Sequence, residues 1–201
     1  MSDTFTPEFR EWPKTPRLFR DIVITEKIDG TNAAIHISND GQVAAQSRTR
    51  IITPGKTTDN YGFAGWVHEN ADELAILLGP GLHFGEWWGQ GIQRRYGLEE
   101  KRFSLFNTAR WWAVDEAGTS LDSRVEQSDM CGQLDAVPVL YEGQFSEDAI
   151  TSALRDLKAD GSYAAPGFMN PEGICVYHSQ TRSVFKVTLD NYDAGKWEAA
   201  A

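Results

Sequence analysis

Four charged side chains stand where uncharged ones would cost less, and their types suggest chemistry. Lys27 closes an apolar run, Ile22-Val23-Ile24, and leads into Asp29 and Gly30 in the string K-I-D-G. A lysine delivered from a buried strand to a tight turn can shed its hydration and attack as a nucleophile. Gly30 can supply unusual backbone angles at that turn. Taken alone, a solvated lysine at a strand end explains the stretch equally well. Glu86 lies inside the aromatic run L-H-F-G-E-W-W. A carboxylate there is either paired, hydrogen-bonded or metal-linked, or it faces outward from a half-exposed strand. Glu172 opens the strand-like E-G-I-C-V, and Lys186 is centred in S-V-F-K-V-T-L. Two cations and two carboxylates converging in one cleft would offset one another's burial. Carboxylates can hold a hard divalent cation, usually through water. Lys186 can neutralise phosphate oxygens as a point charge. Lys186 and a metal would favour the neutral, attacking amine of Lys27, whereas Asp29 alone would favour the ammonium. The chemistry that fits is transfer of a nucleotide's phosphoryl group to lysine.

The elements that must position these groups follow from pattern. Ile22–Ile28 reads as a strand, and Asn32–Ser38 and Val43–Ser47 as a hairpin around Asn39-Asp40-Gly41, so Lys27 heads an antiparallel meander. His36 in that hairpin reads as a structural histidine. Ser47–Arg50 (S-R-T-R) is either a solvated edge or a fork for phosphate or ribose. Pro54–Gly62 reads as a loop, Phe63–Leu78 as one helix stopped by Gly79-Pro80-Gly81, and Leu82–Trp88 as a strand. Arg94, Arg95, Lys101 and Arg102 form the most basic stretch, a solvated loop or a local footprint for a polyanion. Arg102–Asn107, Trp111–Val114 and Val137–Tyr141 read as strands. Ser146–Leu157 reads as a helix with Ser146 as its N-cap. Glu172–Val176 and Ser183–Leu189 form a final pair of strands. The lead-in, with Phe5, Phe9, Trp12 and Phe19 among three prolines, is expected to pack through its rings, and the tail to form a short helix or a frayed end. The sum is an α+β domain of mostly antiparallel sheets flanked by helices.

Bulk composition sets the limits. The chain has 201 residues, 41% hydrophobic and 24% charged, which suits one globular domain over residues 1–201. Its net charge of −10 is the wrong sign for a surface that is basic throughout, and it predicts weak, salt-sensitive affinity for any polyanion outside a local groove. Cys131 and Cys175 make neither a disulfide framework nor a metal motif. No apolar run is long enough for a membrane span and the first residues lack a signal-peptide layout, so a cytoplasmic setting is expected, without a membrane partner.

The order of the signals carries a resemblance. K-I-D-G-T-N, S-R, G-E-W-W-G, F-S-L-F-N, E-G-I-C-V and F-K-V follow one another as in the covalent nucleotidyltransferases, which include ATP-dependent DNA and RNA ligases and mRNA capping enzymes. E-K-I-D-G-T-N is especially similar to the phage-type ATP-dependent RNA ligases. The resemblance spans residues ~22–190 and implies a ligase adenylation domain. It implies ATP and Mg2+ or Mn2+ as cofactors. Lys27 would become lysyl-AMP, and AMP would pass to a nucleic acid 5′-phosphate, RNA favoured, for displacement by a 3′-hydroxyl. Asp29 and Lys186 would serve the chemistry, with Lys186 on the α-phosphate. Glu26 would read the adenine and Phe106 would stack on it. Gly30 and Asn32 would lie by the phosphates, Arg48 would contact ribose or phosphate, and Glu86 would hold the ribose. Glu172 would bind the metal. The chain departs from the pattern where Lys-x-Lys is usual, because Val184 and Thr188 flank a lone Lys186, and Asn107 stands where Asp is common. Neither an OB-fold nor a C-terminal helical domain is expected within these residues, so a protein partner could supply the clamp. The alternatives are an enzyme with another acceptor, a capping-type guanylyltransferase, and a non-catalytic nucleotide- or end-binding protein on the same fold.

Overall fold

The computed structural model describes residues 8–190. Burial alternates along strand β1 (Asp21–Lys27), so Ile22, Ile24 and Glu26 face one way while Val23, Thr25 and Lys27 face the other. β1 is the inner strand of a four-stranded antiparallel sheet, in the order β10 (Ser183–Thr188), β9 (Gly173–His178), β1, β8 (Val139–Gln144). Helix α5 (Glu147–Asp160) covers its far face, packing Ala153 and Leu157 on Ile22, Ile24, Ile174 and Val176. Ser146 caps α5 as its position predicts, accepting from the Ala149 N–H at 3.3 Å.

The chain then crosses to a second sheet. β2 (Thr31–Ile37) and β3 (Val43–Ser47) form the expected hairpin, but β1 does not join it. The meander expected to start at Lys27 is therefore corrected: Ile28-Asp29-Gly30 is the crossing between sheets. The free side of β2 pairs instead with β5 (Gly81–Gly89), and the six strands run in the order β4 (Ile51–Ile52), β3, β2, β5, β6 (Lys101–Leu105), β7 (Leu134–Ala136). All neighbours are antiparallel except β6 and β7. The back of this sheet carries the main core, in which the Phe63 ring stacks on Trp66 and meets Trp87 and Phe103 at tilted angles.

Two elements differ from expectation. The helix read over 63–78 is two helices, α1 (Phe63–Glu69) and α2 (Ala71–Leu78), divided at Asn70, whose side chain donates to the Trp66 carbonyl. The strand read at Trp111–Val114 is instead helix α3 (Thr108–Trp112). Asn107 caps it by accepting from the Arg110 N–H at 3.1 Å, which turns Trp111 into the core. A fourth helix, α4 (Leu121–Glu126), leads to β7. Of the strand read over Val137–Tyr141, Val139–Tyr141 lie in β8, while Val137 and Pro138 are a second crossing, because β7 ends in one sheet and β8 begins in the other. Ile28 and Val137, one from each crossing, meet in a small third core with Trp88, Tyr96 and Ala165.

The lead-in does not pack through its rings. Phe9 and Trp12 are 89% and 86% exposed, and Phe19, 65% exposed, meets the Phe145 ring edge-on. Phe5 and the tail beyond 190 lie outside the described residues. No described helix is long and apolar enough to cross a membrane.

Leu157 is fully buried beneath the first sheet. Leu157→Ala is expected to cost about 2–5 kcal/mol, read as a lower urea midpoint.

Candidate active site

The inner faces of the two sheets look at each other across a cleft of about 1160 Å³. Lys27, Asp29, Gly30, Asn32, Arg48, Glu86, Phe106 and Lys186 all line it. At its foot, β1 and β9 run antiparallel with Lys27 opposite Gly173. That register sets the neighbouring Glu172 beside Lys27, and the Lys27 Nζ donates to the Glu172 carboxylate at 2.5 Å. Gly173 is required there. Its φ is +152°, and a Cβ would lie 2.2 Å from the Val187 carbonyl oxygen.

Glu86 answers the question posed by its aromatic strand. It is buried, and it accepts from the Gly30 N–H at 3.1 Å and from the Asn32 amide at 2.7 Å. Burial pushes its carboxyl up to about 7, although those donors and Lys27 pull the other way. Gly30 does not supply unusual angles, since it is not among the positive-φ residues. It is small because the turn presses onto β5: a Cβ would meet the Trp87 carbonyl oxygen at 2.4 Å.

Lys186 differs from its reading as a costly internal charge. It sits on the edge strand β10 and is exposed, opposite Cys175 in the register and one row along from Lys27. Burial raises the Cys175 thiol above its ordinary range, and both lysines partly counter this. Arg48 and Phe106 are exposed on the cleft wall.

Glu26 lines the cleft but its carboxylate is taken up. It accepts from Ser162 Oγ at 2.6 Å and from the backbone N–H groups of Tyr163 and Ala164 at 2.8 and 2.9 Å. Burial still raises its pKa above the usual carboxylate value.

Two residues escaped the sequence reading. The Asp29 N–H donates to Tyr96 Oη at 2.8 Å, and the Asp29 carboxylate accepts from Arg94 at 3.1 Å. The same Arg94 guanidinium donates to the carbonyls of Asn170 and Pro171, just ahead of Glu172, and pairs with Asp190 just beyond β10. One fork thus ties the Lys27 turn to the segments carrying Glu172 and Lys186. Gln93, Arg95 and Tyr96 around it hold positive φ values of 42°, 60° and 51°, a cluster of the kind found where backbone is forced by function. Within the basic stretch, three of the four cations have internal partners, while Arg95 is exposed. Arg102 pairs with Glu100 and Lys101 donates to the Tyr61 carbonyl. The signal available in sequence was the density of Arg and Tyr beside glycines, which does not say where they point.

Among the described residues no group of three or more His, Cys, Asp or Glu could hold a metal by itself. Glu172, half-buried at the cleft foot, fits a hard cation that takes its other ligands from phosphates and water.

Two facing sheets with a lysine and two carboxylates at the cleft foot define an adenylation-type nucleotidyltransferase fold. The model of the family described as RNA ligase matches residues 20–188, so the chain belongs to the RNA ligase family. Among solved structures, a mutant of Naegleria gruberi RNA ligase with AMP and Mn superposes with a TM-score of 0.56 at 17% identity, covering 86% of this chain and 51% of that one. A second mutant of that enzyme, with ATP and Mn, gives 0.56 at 18% identity, covering 85% and 49%. The same ligase with PPi gives 0.54 at 19%, covering 85% and 50%. At these identities the likeness shows the fold, and the chain spans about half the length of those proteins. No curated protein matches it.

The Glu86 shift has a signed consequence. The folded protein holds that proton between about pH 4.5 and 7, where the unfolded chain has released it. Glu86 therefore lowers stability as pH rises through this window, by up to about 3 kcal/mol. Asp135, pushed up to about 6 by burial, and Glu26 act in the same direction. Urea unfolding of wild type and Glu86→Gln at pH 5 and 7.5 should show a smaller fall in the variant. For Arg94→Lys, which keeps the charge and loses the fork, the same assay should show a loss of about 2 kcal/mol.

Proposed function

We propose that this chain is an ATP-dependent RNA ligase-like enzyme that forms a covalent lysyl-AMP on Lys27. The observation that carries the reading is the Lys27–Glu172 pair at the foot of a nucleotide-sized cleft, on an RNA ligase fold. The Lys27 amine, having released a proton, donates its lone pair to the α-phosphorus of ATP. An N–P bond forms, the bond from that phosphorus to the bridging oxygen breaks, and pyrophosphate leaves. The AMP then passes to the 5′-phosphate of an RNA end with Lys27 as leaving group, and a 3′-hydroxyl displaces AMP to seal the strand. A single adenylation domain suffices for the first step, and a protein partner could complete the grip on RNA for the others.

Each residue takes a part in this reading. Glu172, now paired with Lys27, is the residue that would hold a Mg2+ or Mn2+ ion, and the Lys27 amine is free to attack once that pair opens. A cation there supplies charge neutralisation at the phosphates. Lys186 reaches the α-phosphate from the edge of the cleft. Its exposed, flexible stem suits a group that must follow the phosphorus from lysine to acceptor. Asp29 fixes the Lys27 turn through Arg94 and Tyr96. Glu86 receives the ribose hydroxyls while Gly30 and Asn32 hold it in place. Phe106 offers a face for adenine, and Arg48 a fork for ribose or phosphate. Glu26 acts on the base through the 162–164 backbone that it orders. The reducing cytoplasm is the setting we assign, in keeping with two free cysteines.

The test is labelling with α-³²P-ATP and Mg2+ or Mn2+ after removal of any bound AMP, with Lys27→Ala alongside. Acid-labile label on the wild type and none on the variant is the expected result. Absence of label from ATP and GTP with either metal would overturn it.

A further inference from the structure

The longest stretch of this chain without an acidic residue runs from Gly41 to Thr58, in a protein of net charge −10, and it carries Arg48, Arg50 and Lys56. All three are exposed, and none has a hydrogen bond or ion pair from its side chain within the described residues. The contrast with the 94–102 stretch is direct, because Arg94, Lys101 and Arg102 are consumed by internal partners.

The stretch is also held in place. The Ser47 N–H and Oγ both donate to the Arg50 carbonyl, at 2.8 and 3.2 Å, which closes the turn bearing the two arginines. Thr58 Oγ1 donates back to the Thr53 carbonyl at 3.0 Å, which folds the segment bearing Lys56. β4 between them is the edge strand of the larger sheet. Arg48 lines the cleft, so rim and cleft are continuous. Across the strands, Ser47 pairs with Ala33, and the adjacent Asn32 pairs with Glu86. At a strand spacing of about 4.8 Å, the rim begins roughly 10 Å from Glu86.

We infer that Arg50 and Lys56 form a landing strip for the phosphates of the RNA strand whose 5′ end receives AMP. The inference rests on the ligase reading above and adds the surface that holds the acceptor. A strand with its end at Lys27 that leaves the cleft past Arg48 runs over this rim within its first few phosphates. Free, exposed cations with no acidic neighbour in sequence are suited to that contact, since each phosphate neutralised releases counterions. The contact is to backbone phosphate and carries no base specificity.

The test is fluorescence anisotropy with a short 5′-phosphorylated single-stranded RNA oligonucleotide over a salt series. The proteins are wild type, an Arg50→Ala/Lys56→Ala double variant, and an Arg155→Ala/Lys158→Ala control on the opposite side of the molecule. The rim variant should bind more weakly, and its salt slope should be shallower by about 1.4, at roughly 0.7 for each single-strand phosphate contact. The control should match wild type. Melting temperature and Lys27 labelling by ATP should be unchanged in the rim variant, since both residues are exposed and away from the cleft foot. An unchanged slope in the rim variant, an equal loss in the control, or no measurable binding by wild type at low salt overturns the inference. A protein that binds RNA through the rim but takes no label from ATP would instead keep this surface and overturn the ligase reading.

Discussion

Everything at the cleft foot depends on holding an ammonium and two carboxylates together against their hydration. Lys27 and Glu86 come from strands in different sheets and Glu172 from the residue that leads into β9, and each is partly or wholly removed from water. None would be tolerated there alone. Their mutual attraction is useful only if the strands cannot drift, and that rigidity comes from groups that touch no reacting atom. Arg94 fastens the turn after Lys27 to the chain on either side of the β9–β10 pair. Tyr96, wedged between Trp88 and Phe168, fixes the same turn from its backbone side. Glu26 does for the 162–164 loop what Arg94 does for the turn.

The two-sheet layout explains how one cleft can carry both charged groups and apolar side chains on its walls. Each sheet spends its far face on a core: α5 under the smaller sheet, four helices under the larger. The near faces are left to face each other. Rows of residues then run across the cleft, with Lys27 and Gly173 in one row and Thr25, Cys175 and Lys186 in the next. At the end where the chain crosses between sheets, a turn brings the Gly30 backbone N–H to meet the Glu86 carboxylate.

Much of this was legible in the sequence, and the failures have physical causes. Strands with clear alternation, a D-G hairpin and a serine cap were placed correctly, because local periodicity and turn chemistry decide them. So was the association of Lys27, Glu86 and Glu172, since charges in apolar strands must find partners. What local pattern cannot carry is which strand pairs with which. β1 and β2 are joined by three residues yet belong to different sheets, and the three-residue β7 was too short to be read at all. Trp111 and Trp112 looked like strand residues until the cap at Asn107 outweighed their propensity. Arg94 looked like a solvated cation because its partners, at Asp29, Asn170 and Asp190, are distant in sequence. For Glu26 the sequence did not show the donors that hold its carboxylate, because they come from the 162–164 loop, which carries no motif.

The smaller sheet has a history that its finished form hides. β1 is made early in synthesis, but both of its neighbours, β8 and β9, come from the last third of the chain, and Lys27 is separated from Glu172 by 145 residues. During translation the larger sheet can complete itself while Ile22 and Ile24 wait as an unpaired apolar strand. Such a segment is a natural substrate for a holdase chaperone and a point of entry for misassembly. The Lys27–Glu172 pair can therefore form only after β9 has been made. A chain that stops ahead of β9, short of Glu172, holds the strands of the larger sheet but lacks Glu172, Ile174 and Val176, and with them the partner of Lys27 and part of the smaller core.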